Sequence, residues 1–70
     1  MVTATNSVST KSAGWQQKCW TWAEANQSFE IRDMEAPHFM FCQELCAEYH
    51  YTYQYHCQRD ESVAQFKPLD

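Results

Sequence analysis

Apolar groups in residues 15–29, WQQKCWTWAEANQSF, fall at Trp15, Cys19, Trp22, Ala23 and Phe29. Steps of four, three and seven residues keep these side chains on one face of a helix. No Pro interrupts the run before Pro37, and the chain's only Gly, Gly14, stands just ahead of it. The stretch EIRDMEAP breaks the pattern, and Pro37 suits the first turn of a second helix. From there to Cys57 neither Gly nor Pro recurs, and Phe39, Cys42, Cys46, Tyr49, Tyr53 and His56 alternate steps of three and four, a heptad seam. The pattern therefore predicts two antiparallel helices. Residues 1–14, MVTATNSVSTKSAG, lack apolar periodicity and read as an extended N-terminal tail. Residues 59–70 are polar with Val63, Phe66 and Leu69 at steps of three and read as a short docking tail. The expected class is all-α, a helical hairpin over 15–58 between two tails.

One segment satisfies two periods. Tyr49, Tyr51, Tyr53 and Tyr55 alternate with His50, Thr52, Gln54 and His56, and tyrosine in alternation favours a strand. A strand needs a partner, and the nearest β-branched segment, EIR, is very short. A helix is expected over this segment for that reason.

Composition narrows the function classes. A chain of 70 residues makes one small domain, and a core this small commonly needs a staple, a metal or a partner. The net charge of −4 gives no electrostatic footprint for nucleic acid or an anionic membrane. The longest aromatic-apolar run is FMF, so no transmembrane segment is expected. The opening residues show neither the apolar core of a secretory signal nor an Arg-rich amphipathic presequence, so no cleavable leader is expected.

Four cysteines, Cys19, Cys42, Cys46 and Cys57, are the candidate staple. On one helix, Cys46 and Cys57 lie roughly 16 Å apart, beyond the reach of a disulfide. Cys19 must then find its partner across the hairpin. Cys42 and Cys46 are four residues apart, close enough for a strained second disulfide, with free thiols the simpler state. The competing reading is metal. His38, Cys42, Cys46 and His50 follow one another at intervals of four, and neighbours at that spacing can chelate one ion. The whole stripe is about 18 Å long, so a zinc site would need ligands from elsewhere. Ordinary helix-surface histidines are the plainer reading of His38, His50 and His56, and no cofactor is expected.

Catalysis is not expected. No Gly-rich phosphate loop, Ser-centred elbow or Cys-x2-Cys pair occurs, and the acidic QELCAE around Cys46 disfavours a thiolate. The aromatic surplus points to binding instead. Trp22, Tyr49 and Tyr53 fit the hairpin seam, whereas Trp20, Tyr51 and Tyr55 fall outside it. With Phe66 of the tail, these three form the expected partner interface.

The two arms CWTWAEANQSF and CAEYHYTYQYHC resemble those of the coiled-coil-helix-coiled-coil-helix family. The second arm is Cys-x10-Cys. The first has the family spacing but ends in Phe29, and Cys42 is extra. The likeness covers roughly residues 19–66. It is nearest to the VIb-type cytochrome c oxidase subunits, which share the Cys-Trp start and a Trp- and Tyr-rich second arm, and weaker to the bc1 hinge subunits. The resemblance implies a disulfide-stapled hairpin with a Cys19–Cys57 bridge. It also implies a non-catalytic accessory subunit of a respiratory-chain complex, bound to protein subunits in the mitochondrial intermembrane space, peripheral to the inner membrane and imported without a presequence. Two other classes stay open: a secreted or host-directed disulfide-stabilised binding protein, and a zinc-stabilised interaction domain.

Overall fold

The computed structural model describes residues 5–59 and 61–69. Its elements are β1 (Asn6–Ser9), α1 (Trp15–Glu24), β2 (Phe29–Arg32), a 3-10 turn (Ala36–His38), α2 (Phe39–Tyr49), β3 (Tyr51–Gln58) and β4 (Glu61–Pro68). The strands form one mixed sheet in the order β1-β2-β4-β3. β1 and β2 run parallel, joined by the α1 crossover, and β4 runs antiparallel to both β2 and β3. The fold is mixed α/β, which corrects the all-α expectation.

Local chemistry sets each boundary. Gly14 takes the left-handed region at φ 76° to open α1, and its carbonyl accepts from Lys18 N–H at 3.3 Å. At the other end Asn26 is left-handed at φ 59°. Its N–H donates to the Ala23 carbonyl, and Gln27 N–H reaches back to Trp22, a Schellman closure of α1. Pro37 lies in the 3-10 turn leading into α2, as its missing N–H favours. α2 stops because His50 turns left-handed at φ 56° and donates its N–H to the Cys46 carbonyl. The chain leaves that single residue directly into β3.

Register shows why both helices lie on one side. Val8, Ile31, Ala64 and Tyr55 are cross-strand neighbours, as are Phe29, Phe66 and Tyr53, so these two rows share a face. Val8, Phe29, Ile31, Ala64, Phe66 and Tyr51 are buried there under Trp15, Cys19 and Ala23 of α1 and Cys42 and Leu45 of α2. Phe29 and Phe66 stack with centroids 4.8 Å apart and planes 9° from parallel at the centre of the sheet. The alternate residues, Ser7, Glu30, Arg32, Thr52, Gln54, His56, Gln65 and Lys67, form a largely polar open face that also carries Val63. Sidedness of this kind is usual for a sheet covered by helices on one face only.

Three boundaries change as a result. The N-terminal tail expected over 1–14 contains β1, with positions 1–4 outside the described residues. The hairpin expected over 15–58 is divided by β2, and its last eight residues are strand. The docking tail of 59–70 holds β4, an interior strand of the sheet. The resemblance to the coiled-coil-helix-coiled-coil-helix family required a helical second arm, and β3 overturns it.

Candidate interaction surface

Two regions collect the residues singled out above. The first is the outer seam between α1 and α2. Trp15 packs on His38 at 4.8 Å and edge-on to Phe41 at 5.2 Å. Trp20 stands edge-on to Phe41 at 6.5 Å and to Tyr49 at 5.5 Å. These T-shaped contacts match the ring quadrupoles and fix the rings against one another. Trp15 is buried, Phe41 and Tyr49 are half-buried, and Trp20 is 37% exposed. The seam thus ends at the surface in a held tryptophan. Met40, at 69% exposure, precedes Phe41 on α2.

The second region is β3. Its helix-side residues are Tyr51, Tyr53, Tyr55 and Cys57, and their exposure rises along the strand. Tyr51 is buried, Tyr53 half-buried, and Tyr55 44% exposed, with Cys57 also exposed. Phe39 of α2 meets Tyr53 at 5.5 Å and Tyr55 at 6.4 Å, both edge-on.

Of the expected interface residues, Trp20 and Tyr55 are at the surface. Tyr51 and Phe66 are not, because β3 and β4 carry them into the core. Phe41 is the seam residue that sequence reasoning missed. Its signal was the FMF run at the start of α2, in which only Phe39 was assigned to a face.

Tyr51 and Tyr53 lie two residues apart with opposite polar environments. The Tyr51 hydroxyl donates to the Gln27 carbonyl at 2.8 Å, with the Trp22 and Ala23 carbonyls at 3.3 and 3.4 Å. It thereby tethers β3 to the closing turn of α1. The Tyr53 hydroxyl is buried and has no hydrogen-bond partner among the described residues. Tyr51→Phe is expected to cost about 1–3 kcal/mol, and Tyr53→Phe to be neutral or stabilising by up to about 1 kcal/mol. Urea unfolding of the two variants beside the parent checks the difference in sign.

The cysteines occupy three different environments. Cys19 and Cys42 are fully buried, Cys46 is half-buried, and all four are free thiols. Burial pushes the Cys19 thiol up to about 12. Burial, with Cys19 and Cys46 nearby, does the same for Cys42, and burial takes Cys46 to about 11. The Cys42 sulfur lies 3.8 Å from that of Met34. These groups are packed as small apolar side chains. The Cys19–Cys57 bridge presupposed Cys57 on a helix facing α1, whereas the strand carries it to an exposed position. A brief maleimide pulse at pH 8 is therefore expected to label Cys57 first, with Cys19 and Cys42 protected until urea unfolds the chain. Equal labelling of Cys19 would mean that the helices separate readily from the sheet.

The histidine–cysteine stripe is also divided. His38 lies in the 3-10 turn against Trp15, Cys42 faces the core, and His50 is the exposed residue that ends α2. Among the described residues no three His, Cys, Asp or Glu side chains gather in a way that could hold a metal ion. Hollows of about 250 Å³ at Thr52, Gln54, Gln65 and Lys67, and about 300 Å³ at Glu30, Arg32, Asp33, Glu61, Ser62 and Val63, are shallow depressions on the sheet. No helix is long and apolar enough to cross a membrane among the described residues.

In comparisons with known proteins, the chain matches no family model, no curated protein and no solved structure.

Proposed function

We propose that this chain is a small, non-catalytic protein-binding domain whose contact surface is the aromatic seam of α1 and α2. The observation that carries this reading is Trp20, partly exposed yet held edge-on between Phe41 and Tyr49. A rigid aromatic side chain loses little entropy on binding and offers a large apolar area, which is why tryptophan and tyrosine anchor interfaces. The thiols support a binding role over nucleophilic chemistry, since burial keeps Cys19 and Cys42 protonated at neutral pH. The respiratory-complex role and its compartment came only from the stapled-hairpin resemblance. They lose that basis with the fold, and protein binding rests on the aromatic seam instead.

The test is a photo-crosslinking residue placed at Trp20 or, as a comparison, at Gln65 on the open face, in cells that make the protein. A discrete adduct from position 20, competed away by the unlabelled parent and not by Trp20→Glu, is expected. Equal adducts from both positions, or none from position 20, would refute the seam as the contact surface.

A further inference from the structure

β3 is an outer strand of eight residues, and among the described residues no strand pairs with its free side. Which of its backbone groups are free follows from the ladder. The His50 carbonyl accepts from Leu69 N–H at 3.1 Å, and these two residues continue the β3–β4 register. In an antiparallel ladder, hydrogen-bonded and non-bonded pairs alternate. Thr52, Gln54 and His56 therefore turn their backbone toward β4. Tyr51, Tyr53, Tyr55 and Cys57 turn theirs outward.

Natural sheets usually guard such an edge with lysine, proline, a bulge or an inward charge. The strand YTYQYHCQ contains no Lys, Arg, Asp, Glu or Pro. It pairs with β4 without a break from Tyr51 to Gln58, so no bulge twists it away. The edge is long, regular and uncharged in a chain whose net charge is −4.

The sequence of the edge is also close to symmetric about Gln54. A two-fold axis perpendicular to the sheet at that residue would set Gln54 against its own copy. Tyr53 would then lie opposite Tyr55 of the second chain, Thr52 opposite His56, and Tyr51 opposite Cys57. Every outward-turned residue meets another outward-turned residue in this register, so both hydrogen bonds of each pair can form. Tyr55, nearly half exposed, would gain Tyr53 of the other copy as an aromatic neighbour on the helix side. No like charges meet.

We propose that the free edge of β3 is a self-association surface, at which two copies pair antiparallel about Gln54 and join their sheets into one of eight strands. This surface is separate from the Trp20 seam and does not depend on it. The occupant is a second copy because the edge complements itself in hydrogen bonding, side-chain pairing and charge.

The experiment measures molar mass by sedimentation from micromolar to millimolar protein, together with amide exchange. The parent is expected to shift from 8.3 kDa toward twice that mass, with slowed exchange at Tyr51, Tyr53, Tyr55 and Cys57. Gln54→Lys and Gln54→Glu each place like charges across the axis from an exposed position on the open face. Each should weaken association at least about fivefold. Mixing the two variants should restore it, a result that a folding defect would not give. Trp20→Glu should leave the association unchanged. Three results would overturn the proposal: a monomer throughout with those amides exchanging freely, association indifferent to both Gln54 variants, or association abolished by Trp20→Glu. The last would move self-association to the helix seam.

Discussion

Phe66→Ala is expected to abolish cooperative unfolding, leaving a urea curve with no folded baseline at 25 °C. Phe66 is fully buried on interior strand β4, stacked on Phe29 and in contact with the Tyr53 ring at 5.3 Å. Truncating a buried phenylalanine costs about 3–5 kcal/mol through lost transfer energy and an unfilled cavity. A chain of 70 residues has roughly 4–10 kcal/mol in total at the usual stability per residue. The loss is therefore comparable with the whole. Collapse around the cavity is restricted because strands flank Phe66 on both sides and helices cover it. Phe66→Leu keeps most of the volume and should remain folded with a lowered midpoint. If Phe66→Ala instead unfolds with the parent's midpoint and slope, the β2–β4 pairing that positions this stack is wrong.

Stability is expected to fall steeply above about pH 9. Cys19 and Cys42 ionise near 9.0 when free of their surroundings and near 12 in the fold. Between those values the folded chain holds protons that the unfolded chain has released. More protons on the folded state means that the slope of unfolding free energy against pH is negative. The stabilisation is complete below about pH 9 and is lost as the pH climbs toward 12. Each of these two thiols removes up to about 1.4 kcal/mol per pH unit across that window. Tyr51 and Tyr53, also raised from 10.0 by burial, act in the same direction at the upper end. Urea midpoints at pH 7, 8.5 and 10 under reductant should show the decline. Cys42→Ala should lower the midpoint at pH 7 and flatten the fall above pH 9. Parallel pH profiles for parent and variant would mean that Cys42 is not held in the apolar contact between helix and sheet.

The spacing of Trp15, Cys19 and Ala23 was sufficient to place α1 and its buried face, because helical period is a local property. The same holds for Cys42 and for α2 up to Tyr49, and for Pro37 ahead of it. Left-handed His50 was not legible. Histidine takes positive φ more often than most residues but not by default, and here the residue joins α2 directly to β3. Trp20 was legible as an exposed aromatic because it falls off the helical apolar stripe, whereas Tyr55 shares the helix-side row of β3 and is exposed by its place toward the open end of the strand. Tyr51 and Phe66 were misplaced because the two periods assign them opposite sides.

By itself, then, the sequence determined two helical faces, an uncharged tyrosine-rich segment and a small acidic domain lacking a basic surface. Tertiary structure decided everything about the sheet. Residues 49–56 satisfy a heptad and an alternation alike, so their own pattern cannot choose. The choice falls to β4, whose Ala64 and Phe66 match Tyr55 and Tyr53 across the hairpin, and to β2, which closes the other side of β4. β1, with Val8 as its one buried apolar residue, is a strand only because β2 offers a ladder beside it. Helix hydrogen bonds close within four residues and leave a trace in local spacing. Strand hydrogen bonds close between segments distant in sequence, and their evidence lies in the partner.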